Sequence, residues 1–353
     1  MTAPLTLKSR IPATVITGFL GAGKTSLMSH AVRSARGRKL ALVVNEFGEM
    51  GVDGGILSAC GFEGCRDEDI IELANGCICC TVADDFLPTI EKLLARSQPP
   101  DGILIETSGL ALPKPLVKAF AWPEIKSRVT VDGVIAVVDA RAVHDGRFAD
   151  DPAAVAAQRA ADPSLDHDSP LEEVFEDQLA CADLVILNKC DLLDEAALAQ
   201  VEADIRARLR PGVKIVATRF GALPTNVLLG LESRAEDDLA NRPSRHEMET
   251  DHDHDDFESF NLRLAPVSEI DALLTRLIEL AHSHDILRLK GFLAVPGRDL
   301  RHVVQGVGAR LSNYFDRPWR DGEPRDGRLV FIGRKGLDRA AIASALQPFG
   351  ARG

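Results

Sequence analysis

Gly18, Gly21, Ala22 and Gly23 lead into Lys24, Thr25 and Ser26, and residues 18–25 read G-x-x-x-x-G-K-[ST]. Glycines let backbone N–H groups curl around phosphate oxygens, and a helix starting directly afterwards adds partial positive charge. In that setting Lys24 reaches the β- and γ-phosphates and the Thr25 hydroxyl ligates Mg²⁺. A strand predicted just before the loop and a helix just after it separate this pattern from a plain Gly-rich turn.

Three further segments extend the site. Asn188, Lys189, Cys190 and Asp191 follow a buried apolar run, and the carboxyl end of a central strand is where an α/β sheet reads a base. Guanine presents N1–H and an exocyclic amine side by side, and the Asp191 carboxylate can accept both. Adenine has no such pair, so discrimination can reach ~10⁴. The Lys189 stem is expected over the ring face. An Asp here also suits a helix cap, but downstream of a phosphate loop it favours GTP over ATP. Glu106 ends another apolar run and is the expected second Mg²⁺ contact, direct or through water. Glu46 follows the second predicted strand like a switch loop that senses the γ-phosphate. Lys24, Glu46 and Glu106 are thus the candidate catalytic residues. No side chain stands out to orient water and no arginine finger is visible, so slow intrinsic hydrolysis is expected.

Cys77, Cys79 and Cys80 lie within four residues, between the Glu46 loop and the Glu106 strand. A tight loop can converge three thiolates on one borderline ion such as Zn²⁺ or Co²⁺, leaving a coordination position open for handover. Small buried hydrophobes or a redox pair are the plainer alternatives. Cys60 and Cys65 read as incidental, and Cys181 and Cys190 as packing residues. His282 and His284 read as helix-end residues. Seven cysteines, three of them crowded together, do not make a disulfide framework; they suggest a reducing, cytoplasmic setting.

Composition narrows the partners. The 353-residue chain carries a net charge of −12, with 5% aromatic residues and a single Tyr. An acidic chain with few stacking rings is a poor binder of nucleic acid or anionic membrane, so neither is expected as a partner. No apolar run reaches the ~20 residues of a membrane helix. Lys8 and Arg10 before an apolar stretch over 11–21 mimic a secretory signal, but the stretch runs straight into the phosphate loop.

The elements that must position these groups are legible as buried runs of Val, Ile and Leu over 13–17, 40–45, 103–106, 134–139, 184–188 and 214–217. Such runs mark a parallel sheet covered on both faces. Helical patterns over 24–34, 84–96 and 195–209 alternate with them, with Pro88 inside the second. The expected fold is an α/β, doubly wound, mostly parallel sheet over 1–230. Residues 231–256 form a charged linker rich in His and Asp, suited to holding divalent ions loosely or simply to being solvated. Over 257–353 strands interleaved with two helices predict a smaller α+β domain: strands over 257–264, 286–295, 300–307, 310–315 and 329–333, and helices over 268–280 and 338–346.

Residues 18–25, 45–54, 72–80, 106–113 and 188–191, in this order and spacing, resemble the metal-handling P-loop GTPases of the CobW/HypB/UreG family, and within it the CobW branch. The likeness continues through the His/Asp linker, residues 288–292 and residues 328–333 into that branch's C-terminal domain. The resemblance implies a GTP-dependent metallochaperone with Cys77, Cys79 and Cys80 at the metal motif. It further implies release of Co²⁺ towards a cobaltochelatase in aerobic cobalamin biosynthesis, with a zinc chaperone serving another client as the alternative. A small-molecule kinase and a passive metal buffer are more distant readings. Ala217, Thr218 and Arg219 depart from the Ser-Ala-Lys base contact of many GTPases. The oligomeric state is left open.

Overall fold

A computed structural model describes residues 10–35, 38–45, 70–73, 86–161, 171–229, 257–319 and 323–352. The chain divides into two compact units, one spanning Ile11–Leu229, the other taking Arg10 and the described residues from Phe257 onward.

The first unit is built on strands β1 (Ile11–Thr17), β2 (Leu40–Asn45), β3 (Ile70–Leu73), β4 (Gly102–Glu106), β5 (Val129–Asp139), β6 (Leu184–Asn188) and β7 (Lys214–Ala217). They form a parallel sheet in the order β3-β2-β4-β1-β5-β6-β7. The chain leaves β1 towards one edge and returns through β5 towards the other. The strand order therefore reverses at β1, and the crevice beyond its carboxyl end is the place an open α/β sheet offers a ligand. The Val/Ile/Leu composition is explained by burial on both faces: Val15 and Ile16, Val43 and Val44, Leu104 and Ile105 are all fully buried.

Helix α1 (Lys24–Ser34) follows the phosphate loop and buries Leu27, Met28 and Ala31. α2 (Leu87–Ala95) carries Pro88 in its first turn. Pro lacks an N–H and is tolerated in a helix's first turn, where that donor has no intrahelical partner. α3 (Pro113–Ala119) and α4 (Pro123–Lys126) also open on proline. α5 (Ala140–His144), α6 (Pro152–Ala161), α7 (Leu171–Cys181) and α8 (Glu195–Arg208) follow, and α9 (Thr225–Leu229) closes the unit. The Thr225 hydroxyl donates to Ala31 O at 3.2 Å, tying α9 to α1.

The second unit holds β8 (Phe257–Leu264), α10 (Ile270–Ser283), β9 (Ile286–Leu293), β10 (Leu300–Val307), β11 (Arg310–Pro318), β12 (Gly327–Arg334), α11 (Arg339–Ala345) and β13 (Ala351–Arg352). The strands form a six-stranded antiparallel sheet in the order β11-β10-β9-β12-β8-β13. Leu273, Leu277 and Leu280 recur at helical spacing along α10 and pack with Leu289, Leu293, Val304, Leu329 and Phe331 from one sheet face. The two parts together are the α/β fold with a smaller α+β domain that the sequence predicts.

Candidate nucleotide site

The phosphate loop leaves β1 through Gly18, whose φ is 140°. A Cβ there would lie 2.2 Å from Val137 O in β5, so only glycine lets the chain turn this close to its neighbour. Gly23, with φ 100°, would place a Cβ 2.2 Å from Asn188 Nδ2. Between them the Ala22 N–H donates to Phe19 O at 3.2 Å. The Lys24 ammonium donates to the same carbonyl at 3.2 Å. Ser26 is exposed on the first turn of α1.

Lys24, Thr25 and Glu106 come together from two elements. The Lys24 ammonium is buried 3.9 Å from Glu106 Oε1. The Thr25 hydroxyl lies 3.2 and 3.3 Å from the two carboxylate oxygens of Glu106. The carboxyl ends of β1 and β4 are locked level with each other: Thr107 N–H donates to Ile16 O at 2.9 Å and the Thr107 hydroxyl to Thr17 Oγ1 at 3.1 Å. A hydroxyl and a carboxylate at a phosphate cradle are hard oxygen donors of the kind Mg²⁺ takes, so these residues fit that ion.

Asn188 joins three segments. Its amide nitrogen donates to Ala22 O at 2.9 Å, and its carbonyl accepts from Gly221 N–H at 3.0 Å. The side chain that ends β6 therefore fixes the phosphate loop against the turn after β7. Lys189 adopts a left-handed backbone, φ 60°. Its ammonium lies 2.6 Å from Asp139 Oδ2 and 3.7 Å from Asp150 Oδ2, which anchors the tip of the stem expected to cover the base. Asp191 is the middle residue of the short 3₁₀ turn Cys190–Leu192 and is exposed. Cys190 and Cys181 pack against the core. The Cys190 thiol donates to Leu187 O at 3.0 Å, and burial pushes its pKa up, which keeps it protonated and inert.

Two contributors escape sequence reasoning. Asp139 ends β5 directly opposite Asn188 in the ladder; an Asp closing a Val/Ile strand level with N-K-x-D is the signal that could have found it. Gln178 on α7 donates to Gly109 O at 3.1 Å and Ala111 O at 3.3 Å, holding the loop that follows Glu106. Glu46, Cys77, Cys79 and Cys80 lie outside the described residues, as do Cys60, Cys65 and the linker over 231–256. Among the described residues no group of three or more His, Cys, Asp or Glu is placed to hold a metal ion. No helix among them is long and apolar enough to cross a membrane.

Residues 12–217 match the family model for the CobW/HypB/UreG nucleotide-binding domain, and residues 257–349 match that for the cobalamin synthesis protein cobW C-terminal domain. A Sinorhizobium protein named zinc chaperone CobW is 51% identical over 350 residues, covering 98% of this chain and 99% of its own length. A Pseudomonas aeruginosa protein of the same name is 55% identical over 350 residues, covering 98% and 92%. The Escherichia coli zinc chaperone YjiA is 30% identical over 332 residues, covering 92% and 94%.

Proposed function

We propose, from the premise that this chain belongs to the CobW/HypB/UreG family of P-loop GTPases, that it is a GTP-dependent zinc chaperone. One observation carries the reading: near-full-length likeness to two proteins named zinc chaperones, in a chain with Cys77, Cys79 and Cys80. The geometry supports the nucleotide half. Gly21, Ala22, Gly23 and Lys24 take the phosphates, Asn188 and Asp191 the guanine, and Lys189 covers the ring. Thr25 and Glu106 hold Mg²⁺, which would neutralise charge developing on the phosphates.

The three thiolates take the metal cargo. Glu46, which lies in sequence between the phosphate loop and the cysteine segment, couples the two occupants. By linkage, GTP must then tighten metal binding by the factor by which metal tightens GTP. Hydrolysis relaxes the loop and frees the ion to a client protein in the reducing cytoplasm. Zinc replaces the cobalt expected from the sequence for two reasons: the relatives above are named for zinc, and thiolate sites bind Zn²⁺ more tightly than Co²⁺. Cobalt delivery to a cobaltochelatase stays as the second reading, favoured by the family description matched over residues 257–349.

The test is a competition titration of Zn²⁺ against Co²⁺ on the full chain, with Mg²⁺ and either GDP or a non-hydrolysable GTP analogue. Zn²⁺ should win, and the analogue should tighten it about 5- to 150-fold. Replacing Cys77 and Cys79 by Ser should remove tight Zn²⁺ binding and spare GTP. Equal metal affinity in both nucleotide states refutes the coupling, and stronger Co²⁺ binding returns the cargo to cobalt.

A further inference from the structure

Phe220 has the attributes of a residue kept for a ligand. It is 76% exposed. It also has φ 56°, a left-handed backbone that a bulky residue rarely adopts. The Ala222 N–H donates to Arg219 O at 3.0 Å, closing a tight turn whose second central residue, Gly221, has φ 67°. Two successive positive φ values are the sign of a type I′ turn, whose central positions favour Asn, Asp or Gly. A phenylalanine there breaks the local rule and gains little burial in exchange, and such exceptions concentrate at functional sites.

The position of the turn says what the ring meets. Thr218 N–H donates to Leu187 O at 2.7 Å, Cys190 N–H to Thr218 O at 3.2 Å and Gly221 N–H to Asn188 Oδ1 at 3.0 Å. A Cβ on Gly221 would come 2.8 Å from Leu27 N, so the turn also rests on the first turn of α1. The turn that carries Phe220 is thereby fixed between the base-reading strand end and the phosphate-loop helix. The flat apolar surface that Asn188 and Asp191 would bring to this place is a purine ring.

We infer that Phe220 stacks on the purine of the bound nucleotide and sets its affinity, as the aromatic counterpart of the missing Ser-Ala-Lys contact. This rests on the guanine-nucleotide reading above. Stacking is blind to base identity because every base has a π-face. Phe220 therefore adds affinity for purine nucleotides as a class, and Asp191 supplies the choice of guanine.

The experiment measures dissociation constants of the full chain for GDP, ADP and inorganic tripolyphosphate. Phe220→Ala should weaken GDP and ADP by the same factor, roughly tenfold or more, and leave tripolyphosphate unchanged. Phe220→Trp should restore GDP binding. Phe220→Asn, which suits the turn, should melt no lower than the parent without nucleotide and still bind GDP as weakly as the Ala variant. GDP affinity unchanged in Phe220→Ala, with guanine still preferred over adenine, overturns the stack and leaves the guanine reading standing; the ring then faces a protein partner. A loss of tripolyphosphate affinity equal to that of GDP overturns it too, because the residue then acts on the loop and not on the base. Equal GDP and ADP affinity in the unaltered protein removes the guanine reading itself.

Discussion

Asp139 faces two donors at once. Its Oδ1 accepts the Ala142 N–H at 3.0 Å, capping α5, and its Oδ2 meets the Lys189 ammonium at 2.6 Å. The carboxylate is 1% exposed, and a buried charge is tolerable only when paired. Asn at this position keeps an oxygen for the cap and loses the charge. Asp139→Asn should therefore leave α5 formed, release the Lys189 stem and cost about 1.5–3 kcal/mol, the usual worth of a hydrogen bond to a charged group. Lys189→Met should cost more, about 3–5 kcal/mol, because it strands the buried carboxylate, and the double variant less than Lys189→Met alone, because Asn removes that charge. Urea denaturation of the three variants checks this; additive losses would show that Asp139 acts through the cap alone. The motif residues around it are legible because type and spacing encode them. Asp139 is not, because it looks like any strand-ending cap. Its partner lies fifty positions away in the chain and is brought opposite only by the β5–β6 ladder.

At the scale of elements, the strands of the first unit are readable because burial on both faces leaves little but Val, Ile and Leu. β2, β6 and β7 fall on the predicted residues. β5 runs longer, starting at Val129, because its first half carries Thr130, Asp132 and Gly133, which break the apolar pattern. β3 is four residues long and escapes notice. The helices α3, α4, α5 and α9 span four to seven residues, too short for a 3.6-residue period to declare itself. α7 is longer, but one of its buried positions is polar: Gln178, 2% exposed, faces the loop after Glu106. Its amide satisfies the carbonyls of Gly109 and Ala111. Gln178→Ala strands both in a buried setting and should cost about 1–3 kcal/mol. It should also weaken Mg²⁺-dependent GTP binding more than Mg²⁺-free binding, because the loop it holds begins at Glu106. Nucleotide affinity with and without Mg²⁺ reads this out; an equal loss in both conditions would detach Gln178 from the Glu106 end of the site.

Taken whole, the molecule has two units with separate cores, and each answers to its own solution variable. Mg²⁺–GDP should stabilise the first unit by mass action, about 2.7 kcal/mol at a hundredfold excess over the dissociation constant. Acid acts on the second. His302 in β10 is 4% exposed, on the sheet face that packs under α10. Its Nε2 lies 2.9 Å from Asn313 Oδ1 and its ring 4.6 Å from the Phe315 centroid. Nδ1 is buried with no hydrogen-bond partner among the described residues. Burial holds the imidazole below its ordinary 6.5, while the Asn313 carbonyl and the Asp271 charge on α10 pull weakly the other way. Between the folded and unfolded values the unfolded chain binds more protons. The stabilisation from a neutral His302 is thus complete above pH 6.5 and lost as pH falls through the lower folded value. Hydrogen exchange, corrected for intrinsic rates, should show protection of β10 and β11 falling as pH is lowered from 7 to 5.5, with α1 and β1 less affected. His302→Gln can still donate to Asn313 but takes up no proton, so it should flatten that decline. Mg²⁺–GDP should raise protection in α1 and β1 at either pH. A His302→Gln chain that loses β10 protection with acid as steeply as its parent would place the acid-sensitive group elsewhere.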